Sequence, residues 1–131
     1  MKRGIAGVLA GLVVWFVVAT AINLALRLSW ADYAIAEKPM TFTLGMQVAR
    51  LVTGAVASLC AGVAAGWIAK GLGTPVKVLA VLLLLLFLPV HYGLWDRFPL
   101  WYHAVFLASL VPLTLLGAKL APKSAMDART G

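Results

Sequence analysis

Four stretches without a charged residue occupy most of this chain, at residues 5–26, 51–69, 78–95 and 98–118. A bilayer core of about 30 Å takes about 20 helical residues to cross, and each stretch is close to that length. Lipid offers backbone polar groups no partners, so each stretch has to close its hydrogen bonds internally, as a helix. None alternates over a strand length in the way a membrane β-barrel requires. The expected fold is all-α: a single transmembrane domain over residues 1–131, a polytopic four-transmembrane-helix bundle with an outer connection at 27–50.

Composition closes off the soluble alternative. Hydrophobic residues make up 63% of the chain and charged residues 11%, against about 45–50% and about 25% in soluble domains. The net charge of +7 would point to nucleic acid on a soluble protein. Here the basic residues flank apolar runs, where they act as topology signals and headgroup anchors. Nucleic acid is therefore excluded. The expected partners are the lipid bilayer and, beyond it, a second copy or a larger membrane complex. Cys60 is the only cysteine, so no internal disulfide forms, and its Ala and Gly neighbours mark it as a packing residue.

The first run begins like a signal peptide, with Lys2 and Arg3 ahead of it and Ala19-Thr20-Ala21 as a cleavage-like triplet. It is longer than an h-region, so it is expected to remain as the first helix. With four spans, Lys2, Arg3, Lys70, Lys77, Lys119, Lys123 and Arg129 share one side. Arg27, Lys38, Arg50 and Arg97 share the other, with Asp32, Glu37 and Asp96. The positive-inside rule then places both termini in the cytoplasm, in a cell membrane expected to be a bacterial inner membrane.

Helices in lipid associate through close packing, which favours small residues. Gly54, Ser58, Gly62 and Gly66 recur every four residues in the second run, with Ala57, Ala61 and Ala65 beside them. That helix is expected at the centre. Gly4, Gly7 and Gly11 offer the first helix a contact face. The leucines at 82–86 have no such stripe and are expected to face lipid over much of their surface. Pro89 and Pro112 should loosen the third and fourth helices locally.

The connections differ. Residues 70–75 read as a short inner turn and residues 96–99 as a tight outer hairpin, with Pro99 suited to the first turn of the last helix. Residues 40–48 (MTFTLGMQV) fit a short strand or a helix. Helix is favoured, because Pro39 suits a first turn and the second span follows without a break.

Both histidines lie in HYGLWDRFPLWYH, residues 91–103, which reads almost the same from either end. A helical hairpin crosses one interface twice, so Tyr and Trp recur in mirror order around its tip. His91 and His103 fall at matched depth, about 6 Å below that tip, and adjacent helices would let them approach. Arg50 lies at the outer boundary, where its stem would let the guanidinium reach headgroups. Yet it shares a face with Gly54, Ala57 and Ala61, which would turn it inward. Asn23 is one turn before Arg27.

Asn23, Arg50, His91 and His103 therefore form a candidate ligand-binding pocket at the outer leaflet, roofed by Trp30, Tyr33, Trp95 and Trp101. As metal ligands, His91 and His103 would need a third group such as Glu37, Asp32 or Asp96, and no ligand spacing supports one. Bis-histidine haem is disfavoured, because packed helices stand only about 8–10 Å apart. No cofactor is expected. Three classes of function follow: a structural or accessory membrane protein binding a lipid or small ligand, an oligomeric transporter or channel, and a membrane enzyme or metal- or haem-binding protein using the histidines. The first is favoured. The spans hold no acidic residue for ordinary proton-coupled exchange, and no nucleophile–base pair stands out, so an enzyme is disfavoured.

Overall fold

The computed structural model describes residues 2–37, 41–69, 73–96 and 98–121. Among these residues five α-helices form and no strand: α1 (Lys2–Ser29), α2 (Ala31–Glu37), α3 (Leu44–Ile68), α4 (Thr74–Gly93) and α5 (Leu100–Leu120). The chain is all-α, and α1, α3, α4 and α5 are each long and apolar enough to cross a membrane.

The helices do not stop where the charge-free runs stop. α1 continues through Arg27 to Ser29, whose hydroxyl donates to the Ala25 carbonyl. A cation in the last turn suits the negative end of the helix dipole, so the charge ends the apolar run without ending the helix. At 1.5 Å per residue α1 measures about 42 Å and α3 about 38 Å, so both overrun a hydrocarbon core of about 30 Å. α4 instead closes at Gly93, leaving Trp95 in the following turn. Pro99 is the N-cap of α5, one position before the first helical turn.

The helical reading of residues 40–48 holds from Leu44 onward and is corrected before it. Thr41, Phe42 and Thr43 are not helical, and α3 begins at Leu44. Thr43 is the reason: its hydroxyl accepts from the Met46 N–H at 3.3 Å, which satisfies one of the orphan donors of the first turn. Leaving the helical path also lets Phe42 bury itself among Tyr33, Met46, Phe98 and Tyr102. Lys38, Pro39 and Met40 lie outside the described residues, as do Lys70, Gly71 and Leu72 of the inner turn, Arg97 of the hairpin tip, and Lys123 and Arg129.

In space the long helices follow the order α1, α3, α5, α4 and back to α1, while α3 and α4 meet little. α3 has a neighbour on each flank because both of its flanks are small. Toward α1, a Cβ on Gly7 would stand 3.2 Å from the Ala65 carbonyl oxygen, and one on Gly11 would stand 3.3 Å from that of Ala61. Toward α5, a Cβ on Gly62 would overlap the Thr114 carbonyl, and one on Gly117 would overlap that of Leu59. Both seams are backbone-to-backbone, the close approach that dispersion requires in lipid. Trp15 of α1 adds a polar link, its indole N–H donating to the Ser58 hydroxyl at 3.1 Å. On α4, Leu79 and Leu83 fill the core, whereas Leu85 and Leu86 remain exposed.

Candidate functional site

The end of the bundle that carries α2 gathers most of the polar side chains of the long helices. Arg50, two turns into α3, turns its guanidinium inward rather than along the helix surface. Its Nε donates to the Tyr102 hydroxyl at 3.3 Å and its Nη1 to the Tyr33 hydroxyl at 3.0 Å. The Phe42 ring lies 4.7 Å from the guanidinium carbon and the Phe98 ring 5.8 Å. Arginine suits such a box, since its planar, weakly hydrated head both stacks on rings and donates in its own plane.

The network runs on from there. Tyr33 accepts from Arg50 and donates to Asn23 Oδ1 at 2.6 Å. Asn23 Nδ2 donates to Glu37 Oε2 at 2.8 Å, and Glu37 pairs with Arg27. From Arg50 through Tyr33 and Asn23 each group donates to the next and Glu37 accepts, while Arg27 donates to the same carboxylate from the other side, so the bonds converge on Glu37. It holds two guanidinium groups and one carboxylate, a net charge of +1. Arg27 is bound directly to Glu37, so the excess lies at Arg50. Among the described residues no carboxylate pairs with it.

Beside Arg50 is a cavity of about 250 Å³ reached by all four long helices. Trp15, Ala19, Gly54, Phe87 and Phe106 give it an apolar floor. Thr20, Asn23, Arg50, Thr53 and Tyr102 give it a polar end. Its shape follows from the packing. α1 and α4 touch at Gly4 and Pro75, at Gly11 and Leu79, and at Trp15 and Phe87. The cavity opens beyond the last of these contacts.

The histidines are close to this cavity but do not line it. His91 Nδ1 and His103 Nδ1 are 2.6 Å apart, with the ring planes at 84°. One ring donates and the other accepts, so at least one is neutral. His91 packs on Phe106, and both rings lie behind the wall that Tyr102 and Phe106 present. Trp95 stacks on His103 at 5.0 Å. His103 Nε2 is buried and has no hydrogen-bond partner among the described residues.

Of the residues singled out from the sequence, the structure thus brings Asn23 and Arg50 to the cavity and places His91, His103 and Trp95 in a separate cluster. Trp101 is exposed and meets the Tyr102 ring edge-on. Trp30 packs on Tyr33, which is no roof: it is completely buried and bridges Asn23 to Arg50. Glu37 is engaged by Arg27 and Asn23, away from the histidines. Among the described residues no three His, Cys, Asp or Glu side chains gather. The 2.6 Å between the imidazole nitrogens is a hydrogen-bond distance, shorter than the roughly 3.3 Å between two ligands of a tetrahedral zinc at about 2.0 Å. Gly7, Gly11, Gly54, Ser58, Gly62 and Gly66 all lie buried between helices.

Sequence reasoning missed Tyr102, Phe42, Phe98 and Trp15. One signal was available for the network: Asn23 and Arg27 are four residues apart and share a helix face with an acid to hold. The chain matches no protein-family model, no curated protein and no solved structure with which it was compared.

Proposed function

We propose that the chain is a small multi-pass protein of a bacterial inner membrane, structural or accessory in type, with both termini cytoplasmic. In this reading it holds an amphiphile with an acidic head in the cavity beside Arg50, at the outer leaflet. Seven Lys and Arg on the side of the termini against four on the other support the orientation. One observation carries the ligand. A cation with no carboxylate partner among the described residues stands at the polar end of a cavity whose floor is Trp15, Phe87 and Phe106. Held in low dielectric, such a charge is costly unless compensated, and an acidic headgroup compensates it. The apolar floor takes the start of the tail.

The box of Tyr33, Phe42, Phe98 and Tyr102 favours a second role for the same residue, as a clamp fastening the α2 connection onto α5. Native mass spectrometry separates the two. The wild-type protein in mild detergent is expected to carry an acidic amphiphile. Arg50→Gln should lose it, and so should Ala19→Trp, which fills the cavity and leaves the clamp intact. If Ala19→Trp keeps the ligand, or if no acidic amphiphile binds the wild type even when added, the ligand reading fails and the clamp remains.

A further inference from the structure

A second opening lies at the other end of the bundle, between the start of α1 and the start of α4. It has a volume of about 590 Å³ and is lined by Ile5, Val8 and Leu9 from α1, by Pro75 and Val78 from α4, and by Arg3 at its mouth. Gly4 lets α1 come close to α4 here: a Cβ there would stand 2.9 Å from Pro75 Cγ, so a larger residue would require the ring or the helix to shift. Ile5, Leu9 and Val78 are exposed, so the opening is a groove on the outer face of the bundle rather than part of its core.

We propose that this groove is a binding site for an anionic phospholipid, with an acyl chain along Ile5, Leu9 and Val78 and the phosphate at Arg3. The proposal rests on the reading that the chain spans a membrane, and it uses different residues from the Arg50 cavity. Three observations support it. Arg3 lines the groove, and its Nε donates to the Ile68 carbonyl at the end of α3, which uses one of the guanidinium's five N–H groups. Lys2 and Lys77 are exposed at the same end, and the described residues there include no carboxylate. The apolar wall and the cationic mouth lie end to end, the order in which a phospholipid presents its tail and its phosphate. A second copy of the chain is the poorer occupant, because a two-fold contact on this groove would bring Arg3 and Lys77 against their own equivalents.

The test uses the full chain carrying Arg50→Gln, so that the other cavity makes no anionic contribution. Native mass spectrometry is run with phosphatidylglycerol and phosphatidylcholine of matched acyl chains at equal concentration. One cation near an anionic group changes occupancy about five-fold, so that is the expected preference for phosphatidylglycerol. Adding Arg3→Gln should abolish the preference, and adding Val8→Trp should reduce binding of both lipids. Equal retention of the two lipids overturns the proposal. So does a preference that survives Arg3→Gln, or a dimer whose groove carries no lipid. Extraction of the wild-type protein from membranes by alkaline carbonate would instead refute the membrane reading beneath it.

Discussion

Replacing Gly62 by alanine adds one methyl group to the most crowded point of the α3–α5 seam. Its Cβ would overlap the Thr114 carbonyl and approach Ala118 N at 3.1 Å. Both neighbours are backbone, so no rotamer change can relieve the overlap, and the helices have to separate. A gap of about 0.5–1 Å forfeits a quarter to a half of each dispersion contact of about 0.1–0.2 kcal/mol. Over several dozen atom pairs along the seam this comes to about 2 kcal/mol, within the ~1–3 kcal/mol typical of overpacked cores. Lipid supplies no hydrophobic drive to offset the loss.

The comparison that isolates the cause is Gly54→Ala. Its Cβ would meet Phe106 Cε2 at 2.6 Å, but that atom belongs to a side chain that can turn. Gly54→Ala should therefore cost less than half as much. Gly117→Ala, which meets α3 backbone at Leu59 and Val63, should match Gly62→Ala. The double variant should fall short of the sum, because the first methyl has already opened the seam the second needs. Reversible unfolding in mixed micelles, followed by far-UV circular dichroism, measures all four. Equal costs for Gly54→Ala and Gly62→Ala would refute the backbone-contact argument, as would full additivity of the double variant.

Tyr33→Phe removes the link between Asn23 and Arg50 and should destabilise by about 1–3 kcal/mol, since it strands buried polar partners. Glu37→Gln breaks a half-exposed ion pair and should cost under about 1 kcal/mol in the same unfolding assay. His91→Phe alone strands His103 and should cost about 1–3 kcal/mol, whereas His91→Phe with His103→Phe should recover much of that, because no unpartnered nitrogen remains. A double variant as unstable as the single one would show that packing, not hydrogen bonding, governs the pair.

What the sequence revealed about this fold was what depends on local spacing. Charge-free runs of bilayer length announced the four long helices. The four-residue repeat from Gly54 to Gly66 announced a helix with neighbours on both sides, because small side chains matter only where another backbone comes close. Equal distance from the hairpin tip announced that His91 and His103 could meet. The aromatic box around Arg50 had no such signature. Phe42 enters it only because Thr43 caps α3 and leaves residues 41–43 free to fold inward. Tyr102 lies between Trp101 and His103, in a stretch where aromatic residues also serve as interfacial anchors, and no spacing separates the two roles. Nor did the sequence distinguish the site of Arg50 from that of the histidines. They share a depth, but the Tyr102 and Phe106 rings stand between them, and that depends on how α5 is rotated against α3.

The spatial order of the helices bears on how the chain is made. The seam between α1 and α3, with Gly7, Gly11, Trp15 and Ser58, lies entirely within residues 2–68. This hairpin can close in the bilayer before α4 and α5 have been synthesised, with Arg50 already covered by Tyr33. What it lacks at that stage is Tyr102 and the backbone of α5 against Gly62. The nascent first half therefore carries a bare glycine flank into the membrane, and arrival of the second hairpin is the step that completes both the flank and the arginine's coordination.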